Sequence, residues 1–226
     1  MSIILNIDTA SQQAHVSFAK DGLLLHALTS GSQKEHASFL QSAIQQLTQI
    51  TGIALPTIDA VAVTAGPGSY TGLRVGMASA KGLCYALNKP LIAMGTLEVL
   101  AVSAMELLRG TAADQLYCPM MDARRMEVFT AIYKDDLSAQ LQPCAMILDP
   151  ASFEKELQEN KIIFFGSGSQ KWKLICSNSN AVFENIDVLP QSMCIHSNKL
   201  FLQKKFTELA YSEPLYLKEF QTVINS

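Results

Sequence analysis

Two aspartates stand at matching places in the sequence, where their carboxylates could hold a metal ion. Asp8 ends the apolar run SIILNID, and Asp122 ends the apolar run QLYCPMMD. In a phosphotransferase, carboxylates that face each other across a crevice hold Mg²⁺ bound to phosphate groups. The same side chains could instead brace the hairpin turns that follow the two runs, and the sequence leaves both interpretations open.

A glycine-rich segment, GPGSYTGLRVG at residues 66–76, lies between a predicted strand and a predicted helix. Its glycine spacing is one residue longer than the dinucleotide-binding fingerprint, and no P-loop motif is present. Free N–H groups at the start of the helix could hold an anion. The favoured interpretation is a tight turn followed by a helix that Ser69 or Thr71 caps.

The four histidines do not predict a metal centre. His15, His26, His36 and His196 include no pair separated by three or four residues, the spacing that places two imidazoles on one helix face. The G-x-S-x-G turn of serine hydrolases is also missing from the sequence. We therefore expect neither a catalytic residue nor a metal ligand.

The order of the predicted elements repeats once along the chain. The strands SIILNIDT, AHVSFAK and LLLHALT precede a helix over 34–51, the strand IDAVAVTA, a helix over 70–87 and a third helix near 96–108. The strands QLYCPMMDA, MEVFTAIYK and LQPCAMIL then precede a helix near 150–159, the strand KIIFFGS and a helix over about 193–211. Short alternating or apolar runs separated by turn residues are typical of strands.

This order predicts an internal duplication, with one β-β-β-α-β-α lobe and its crossover helix at 1–110 and a second lobe at 111–226. Two ribonuclease H-like lobes of this kind form the α/β fold of actin, the sugar kinases and the heat-shock ATPases. Such proteins bind nucleotide between the lobes, although a fold alone does not establish an activity. Gly166 and Gly168 lie where a nucleotide-binding relative would pack adenine, so with Asp8 and Asp122 they mark a candidate vestigial crevice. The first hairpin contains no glycine, which argues against phosphate binding.

The second predicted helix is apolar on nearly every side, although a helix with water behind it needs only about a third of its surface apolar. Its strongly polar residues, Arg74, Lys81 and Asn88, are seven apart and form one narrow stripe. Small residues recur every four positions in two series, Gly72-Gly76-Ala80 and Ala78-Gly82-Ala86. Each interior glycine costs about 1 kcal/mol relative to alanine, which the close approach of another backbone offsets. We expect the helix to be covered on two sides, either by its own chain alone or also by a partner protein.

Composition excludes several classes of protein. The formal net charge is −3 and the pI is about 5.8, unlike a self-sufficient nucleic-acid-binding protein with its basic face. The five cysteines form no C-x-x-C pair, so we expect free thiols and a cytoplasmic location. No apolar stretch approaches the length of a membrane span, and the first residues predict a strand rather than a signal peptide.

Several motifs, in the same order along the chain, resemble the bacterial TsaB family, also called YeaZ. They are IDTA at 7–10, Glu35-His36, GPGSYTGLRVG at 66–76, DARRMEV at 122–128 and PLYL at 214–217. The resemblance covers nearly the whole chain, and the glycine-rich motif is its most specific part. Lys218 stands where the family usually has arginine, and both residues are basic.

The resemblance implies a non-catalytic subunit of the machinery that makes N6-threonylcarbamoyladenosine at position 37 of tRNAs reading codons that begin with adenine. In that family the catalytic paralogue, TsaD, shares the duplicated fold and carries the metal-binding histidine pair that this chain lacks. The ATPase TsaE joins the heterodimer, so ATP or ADP and the metal belong to partner subunits and this chain needs no cofactor. It would meet tRNA indirectly, through the complex. A nucleotide-dependent phosphotransferase and, more weakly, a metallopeptidase are the alternatives.

The resemblance also implies which residues meet TsaD, because family members pair through their first two helices. A homodimer through the same surface is expected when TsaD is absent. The expected partner-binding residues are Phe39, Gly68, Tyr70, Thr71, Gly72, Leu73, Arg74, Gly76, Met77, Ala80 and Cys84.

Overall fold

The first half of the chain forms a five-stranded sheet with helices on both faces. In this computed structural model, which describes residues 1–31, 36–110 and 115–218, the strands are ordered β3-β2-β1-β4-β5. Strand β1 is antiparallel to β2 and parallel to β4. The elements are β1 (Ile3–Asp8), β2 (His15–Lys20), β3 (Leu23–Thr29), α1 (His36–Thr51), β4 (Ala60–Gly66), α2 (Tyr70–Leu87), β5 (Leu91–Gly95) and α3 (Thr96–Leu107).

The second half repeats the plan. Its elements are β6 (Leu116–Asp122), β7 (Glu127–Tyr133), β8 (Ala139–Ile147), α4 (Glu154–Glu159), β9 (Ile162–Phe165), α5 (Ser169–Lys173), β10 (Ala181–Phe183) and α6 (Pro190–Leu202). The strand order β8-β7-β6-β9-β10 matches that of the first sheet, and β6 is again antiparallel to the second strand and parallel to the fourth. The predicted duplicated α/β fold is confirmed.

Alternation along β1 explains how its sheet is covered. Leu5 and Ile7 are buried in a core beneath α1 and α2, whereas Ile4 points to the opposite face. On that opposite face, α3 and α6 fill the space between the two sheets in a core that both halves share. The two sheets are therefore held together by the packing of these two helices.

The structure contains three strands or α-helices that were not predicted, and one predicted helix has different bounds. Strands β5 and β10 and the short helix α5 were not predicted, and the helix predicted over 193–211 instead spans Pro190–Leu202. Residues 203–218 leave this helix and form a segment that we call the C-terminal strap. The predicted lobe boundary at 110/111 adjoins residues 111–114, which lie outside the described residues, so that boundary stays a prediction. Within the described ranges, no helix is both long and apolar enough to cross a membrane.

The C-terminal strap runs along the first sheet and ends on the second. The Thr207 amide donates to the Leu91 carbonyl at 2.8 Å, which extends the edge of the sheet beyond β5. Farther along, the Leu215 amide donates to the Ala65 carbonyl at 2.7 Å. The strap therefore crosses the end of β4, at the turn that leads into α2.

Candidate partner-binding face and interlobe crevice

The glycine-rich segment is a capped turn in which the Ser69 and Gly72 amides donate within the chain. Ser69 is the N-cap of α2, and its hydroxyl accepts a hydrogen bond from the Gly72 amide at 3.3 Å. The Ser69 amide itself donates to the Ala10 carbonyl at 2.8 Å. A Cβ added to Gly68 would lie 2.5 Å from the same carbonyl oxygen, so only glycine fits there without displacing the backbone. The favoured interpretation, a turn with a Ser69 cap, is confirmed.

The inner face of α2 packs on the chain's own sheet. Thr9, directly after β1, donates its hydroxyl hydrogen to the Gly72 carbonyl at 2.7 Å. A Cβ at Gly72 would overlap the Thr9 carbonyl oxygen, and a Cβ at Gly76 would overlap the Thr9 hydroxyl. The close backbone approach predicted from the first series of small residues is therefore real, but it comes from the chain's own β1.

This packing places part of the predicted partner contact inside the chain. The α2 residues predicted to meet the partner but buried within the chain are Gly72, Leu73, Gly76, Met77, Ala80 and Cys84. Met77, Ala80 and Cys84 belong to the core beneath α1 and α2, and Gly72 and Gly76 pack against Thr9, so these residues support the helix from below. Burial raises the pKa of the Cys84 thiol to about 11, so this cysteine behaves as an apolar core residue. Of the predicted residues, Phe39 and Gly68 are half-buried, and Tyr70, Thr71 and Arg74 are exposed.

The opposite side of α2 is the second series of small residues, and it is exposed. Ala78, Gly82 and Ala86 lie one turn apart, and a Cβ added to Gly82 would meet no atom within 4 Å. Tyr85, in the same part of the helix, is 84% exposed. This series is not among the predicted contacts, because a helix that is apolar on most sides does not reveal which side its own sheet covers.

Helix α1 lies beside α2 and widens this exposed surface. The Gln41 side-chain amide donates to the Ser79 hydroxyl at 3.3 Å. The outer helical face, as we define it, consists of Ser38, Gln41, Ser42, Gln45, Gln49, Thr71, Ala78, Gly82, Tyr85 and Ala86, all of them exposed. From Ala37 to Thr51 the sequence contains no charged residue at all.

The two charged residues of α2 are held by the C-terminal strap. Arg74 donates to the Tyr216 hydroxyl at 3.1 Å, and its guanidinium lies 4.0 Å from the centre of the Tyr70 ring. Lys81 donates to the Ser212 carbonyl at 2.9 Å. Both cations therefore lie along the border with the strap, and the outer helical face carries no charge among its residues.

The Asp8 carboxylate braces its hairpin turn through one oxygen, Oδ1, whereas its Oδ2 is buried without a hydrogen-bond partner among the described residues. The side chain is fully buried, and its Oδ1 accepts hydrogen bonds from the Ala10 amide at 2.9 Å and from the Thr64 hydroxyl at 2.7 Å. A carboxylate that accepts from the amide two residues later closes a turn. The bonds to Oδ1 match the brace for the hairpin turn, and the interpretation of Asp8 as a metal ligand stays a prediction.

Asp122 repeats this arrangement in the second half. Its Oδ1 accepts from the Arg124 amide at 2.6 Å and from the Lys171 ammonium at 2.8 Å. Partial burial opposes ionisation, but the hydrogen bonds from Lys171 and Arg124 outweigh it and hold the pKa of Asp122 below its ordinary value. Its charge is therefore neutralised within the chain, as a hairpin brace requires.

The glycines of the candidate crevice also pack against their own strands. A Cβ at Gly166 would lie 2.5 Å from the Met120 carbonyl oxygen, and one at Gly168 would lie 2.7 Å from a methyl group of Val128. The Gly168 amide donates to the Met120 carbonyl at 2.9 Å. Close packing of the turn on β6 is sufficient to explain both glycines.

The described histidines lie apart from one another. The His15 ring pairs with the Thr29 hydroxyl on the first sheet, whereas the His196 ring pairs with Glu98 between the sheets. Among residues 1–31, 36–110 and 115–218, no cluster of three His, Cys, Asp or Glu side chains could hold a metal ion. Glu35, from the Glu35-His36 motif, lies outside the described residues.

Comparisons with known proteins point to one family. A family model described as "TsaD: tRNA N6-adenosine threonylcarbamoyltransferase" matches residues 28–222. The tRNA threonylcarbamoyladenosine biosynthesis protein TsaB of Escherichia coli (strain K12) is 28% identical over 222 residues, which cover 95% of this chain and 94% of that protein. TsaB of Bacillus subtilis (strain 168) is 30% identical over 167 residues, 72% of this chain and 70% of that protein.

A solved structure shows the same fold. It is described as an uncharacterized protein with similarity to peptidase YEAZ from Pseudomonas aeruginosa, and it superposes with a TM-score of 0.83. The match covers 96% of this chain and all of the other chain at 20% sequence identity.

Proposed function

The chain belongs to the TsaD family and, within it, to the TsaB (YeaZ) proteins, and on that premise we propose that it is the non-catalytic partner of a TsaD-type paralogue. Its part in the biosynthesis of tRNA threonylcarbamoyladenosine follows from its named relatives. The proposal adds that this chain pairs with the paralogue, that TsaE joins the pair, and that all three act in the cytoplasm.

The uncharged outer helical face is the observation that carries this proposal. A stable protein interface is depleted of charged residues at its centre and enriched in aromatic residues. The face has both properties, because its residues are small, amide or hydroxyl side chains around the exposed Tyr85. The two cations of α2, Arg74 and Lys81, are bound by the strap at its border.

The second series of small residues fits a helical partner. Two helices approach most closely where their facing side chains are small, because the separation of their axes depends on those side chains. Ala78, Gly82 and Ala86 provide such a strip. No close contact within the described chain requires a glycine at position 82. An exposed glycine in a helix interior costs about 1 kcal/mol relative to alanine, which a partner backbone packed on it would offset.

The role that follows is stabilisation of the catalytic subunit. A protein that binds one conformation of an enzyme more tightly than another shifts the enzyme toward that conformation. The carboxylates of this chain's own crevice brace hairpins, which favours a supporting role over chemistry. In this proposal the nucleotide and the metal belong to the partners, and a homodimer through the same face forms when the paralogue is absent.

A reconstituted modification assay tests the proposal. Gly82→Arg places a long cation on the outer helical face without a clash inside the chain, whereas the same change at Gly76 would disrupt the contact with Thr9. Leu107→Arg is the matched control, because Leu107 is also exposed and lies at the end of α3, away from this face.

We expect Gly82→Arg to remain folded by circular dichroism but to lose co-purification with the paralogue, tRNA modification and any homodimer. Leu107→Arg should retain all three properties. Wild-type rates of modification with Gly82→Arg, or equal losses in both variants, would refute the proposed face.

A further inference from the structure

We propose that Arg124 and Arg125, at the tip of the β6–β7 hairpin, form a phosphate-binding site that contacts the RNA backbone in the assembled complex. This inference rests on the proposed function, since it assigns the chain a direct contact with the tRNA that the complex modifies. It adds a nucleic-acid contact to a chain whose net charge of −3 predicts no RNA affinity of its own.

Among the described residues, the charges around the hairpin leave the two arginines uncompensated. At the base, Asp122 is paired with Lys171 at 2.8 Å, and Glu127 is paired with Lys218 at 2.5 Å. Both arginines are exposed, and neither has an acidic partner within the described parts of the chain. The tip therefore presents two positive charges above a base that is electrically neutral.

The backbone holds these two residues in an unusual conformation. Arg124 and Arg125 have φ values of 73° and 50°, in the left-handed region that residues with a Cβ disfavour. The turn is nevertheless pinned, because the Arg124 amide donates to the Asp122 carboxylate and the Glu127 amide donates to the Arg124 carbonyl at 3.1 Å. Glycine or asparagine would suit such a turn better, so nothing in the fold itself explains two arginines there.

The tip also lies near the face assigned to the catalytic partner. Lys218, which binds the hairpin base, follows two residues after Tyr216, which binds Arg74 in the second turn of α2. Two residues of chain span at most about 7 Å, so the strap links the base of the hairpin to the border of the outer helical face at Arg74. RNA held by the partner could then run across the tip without leaving the complex.

Phosphate is the ligand that this pair of side chains fits best. The guanidinium group is planar and donates two parallel hydrogen bonds to phosphate oxygens, and it loses little hydration on binding. A phosphodiester chain presents several such groups at regular spacing, and contacts to it carry no sequence information. The site would therefore add affinity and orient the tRNA, whereas the choice of adenosine would belong to the catalytic subunit.

The test measures how salt weakens binding of an unmodified tRNA transcript to the reconstituted complex. Arg124→Asn with Arg125→Asn removes both charges, and asparagine tolerates left-handed φ values. Arg109→Asn with Lys155→Asn removes the same charge from exposed positions elsewhere and is the matched control. Each phosphate contact contributes about 0.7–0.9 to the slope of log affinity against log salt.

We expect the tip variant to pair normally with the paralogue but to bind tRNA with a slope reduced by about 1.4–1.8. The control variant should keep the wild-type slope. An unchanged slope in the tip variant would overturn the phosphate site. Loss of pairing in the tip variant would also overturn the phosphate site, because the arginines would then contact the partner protein. The proposed partnership with the paralogue would stand in that case. Failure of the wild-type chain to pair at all would instead refute the proposed function.

Discussion

The two series of small residues on α2 should respond in opposite ways to the same change. Gly76→Ala places a methyl group where the Thr9 hydroxyl lies, whereas Gly82→Ala places one where no atom lies within 4 Å. Both positions are interior to the helix, so the intrinsic gain from replacing glycine by alanine is the same, about 1 kcal/mol. The difference between the two variants therefore isolates the contact with β1.

The expected magnitudes follow from that contact. At Gly76, overpacking costs about 1–3 kcal/mol. Displacement of the hydrogen bond from Thr9 to Gly72 costs about 1 kcal/mol more. After the helix-propensity gain, Gly76→Ala should lower the free energy of unfolding by about 1–3 kcal/mol, and Gly82→Ala should raise it by about 1 kcal/mol.

Thermal and urea unfolding of the isolated chain measure both values. For a chain of this length, 1 kcal/mol shifts the melting temperature by about 2–4 °C, so the two midpoints should move apart by several degrees. A stabilised Gly76→Ala variant, or a destabilised Gly82→Ala variant, would show that we have assigned the inner and outer faces of α2 the wrong way round.

Three further predictions concern the ion pair of Asp122, the C-terminal strap and nucleotide binding. Asp122→Asn should destabilise the chain at neutral pH in urea unfolding, because the bond from Lys171 and the lowered pKa stabilise the ionised form in the folded state. The difference in stability between the wild type and this variant should persist above the ordinary pKa of aspartate, near 4, and vanish as the pH falls through the lowered pKa of Asp122. A difference in stability that does not depend on pH would contradict the ion pair. Lys81→Met should loosen the strap and increase its proteolysis without unfolding the sheets, and wild-type resistance to the protease would count against the bonds from Lys81 to the Ala210 and Ser212 carbonyls. Calorimetry of the isolated chain with Mg-ATP should show no tight binding, and Asp8→Asn should leave that result unchanged; tight binding with turnover would restore the phosphotransferase alternative.

The duplicated order of strands and helices was predictable because its signals are local. Apolar runs that end in Asp8 and Asp122, each followed by a hairpin, define the first two strands of each half without any long-range information. Strand β10 contains only three residues, and β5 lies between two apolar helices, so neither stands out in the sequence as a separate periodic pattern. Their positions depend on pairing with β4 and β9.

The orientation of α2 could not be predicted from its pattern. A helix that is apolar or small on most sides has no polar face to mark the solvent, so both series of small residues fitted a partner equally well. Which series faces the sheet depends on the contact with Thr9, which lies 63 residues before Gly72 in the sequence. The strap was unpredictable for the same reason, since its contacts with Arg74 and Lys81 cross more than 120 residues.

The most direct test of the central claim is a titration of the purified chain with its catalytic paralogue. An unpaired charge buried in an interface costs several kcal/mol, and each 1.4 kcal/mol weakens binding about tenfold. We expect Gly82→Arg to bind at least about 100-fold more weakly than the wild type and Leu107→Arg to bind with the wild-type Kd. Wild-type affinity for Gly82→Arg would contradict the central claim, because the partner would then not touch the outer helical face.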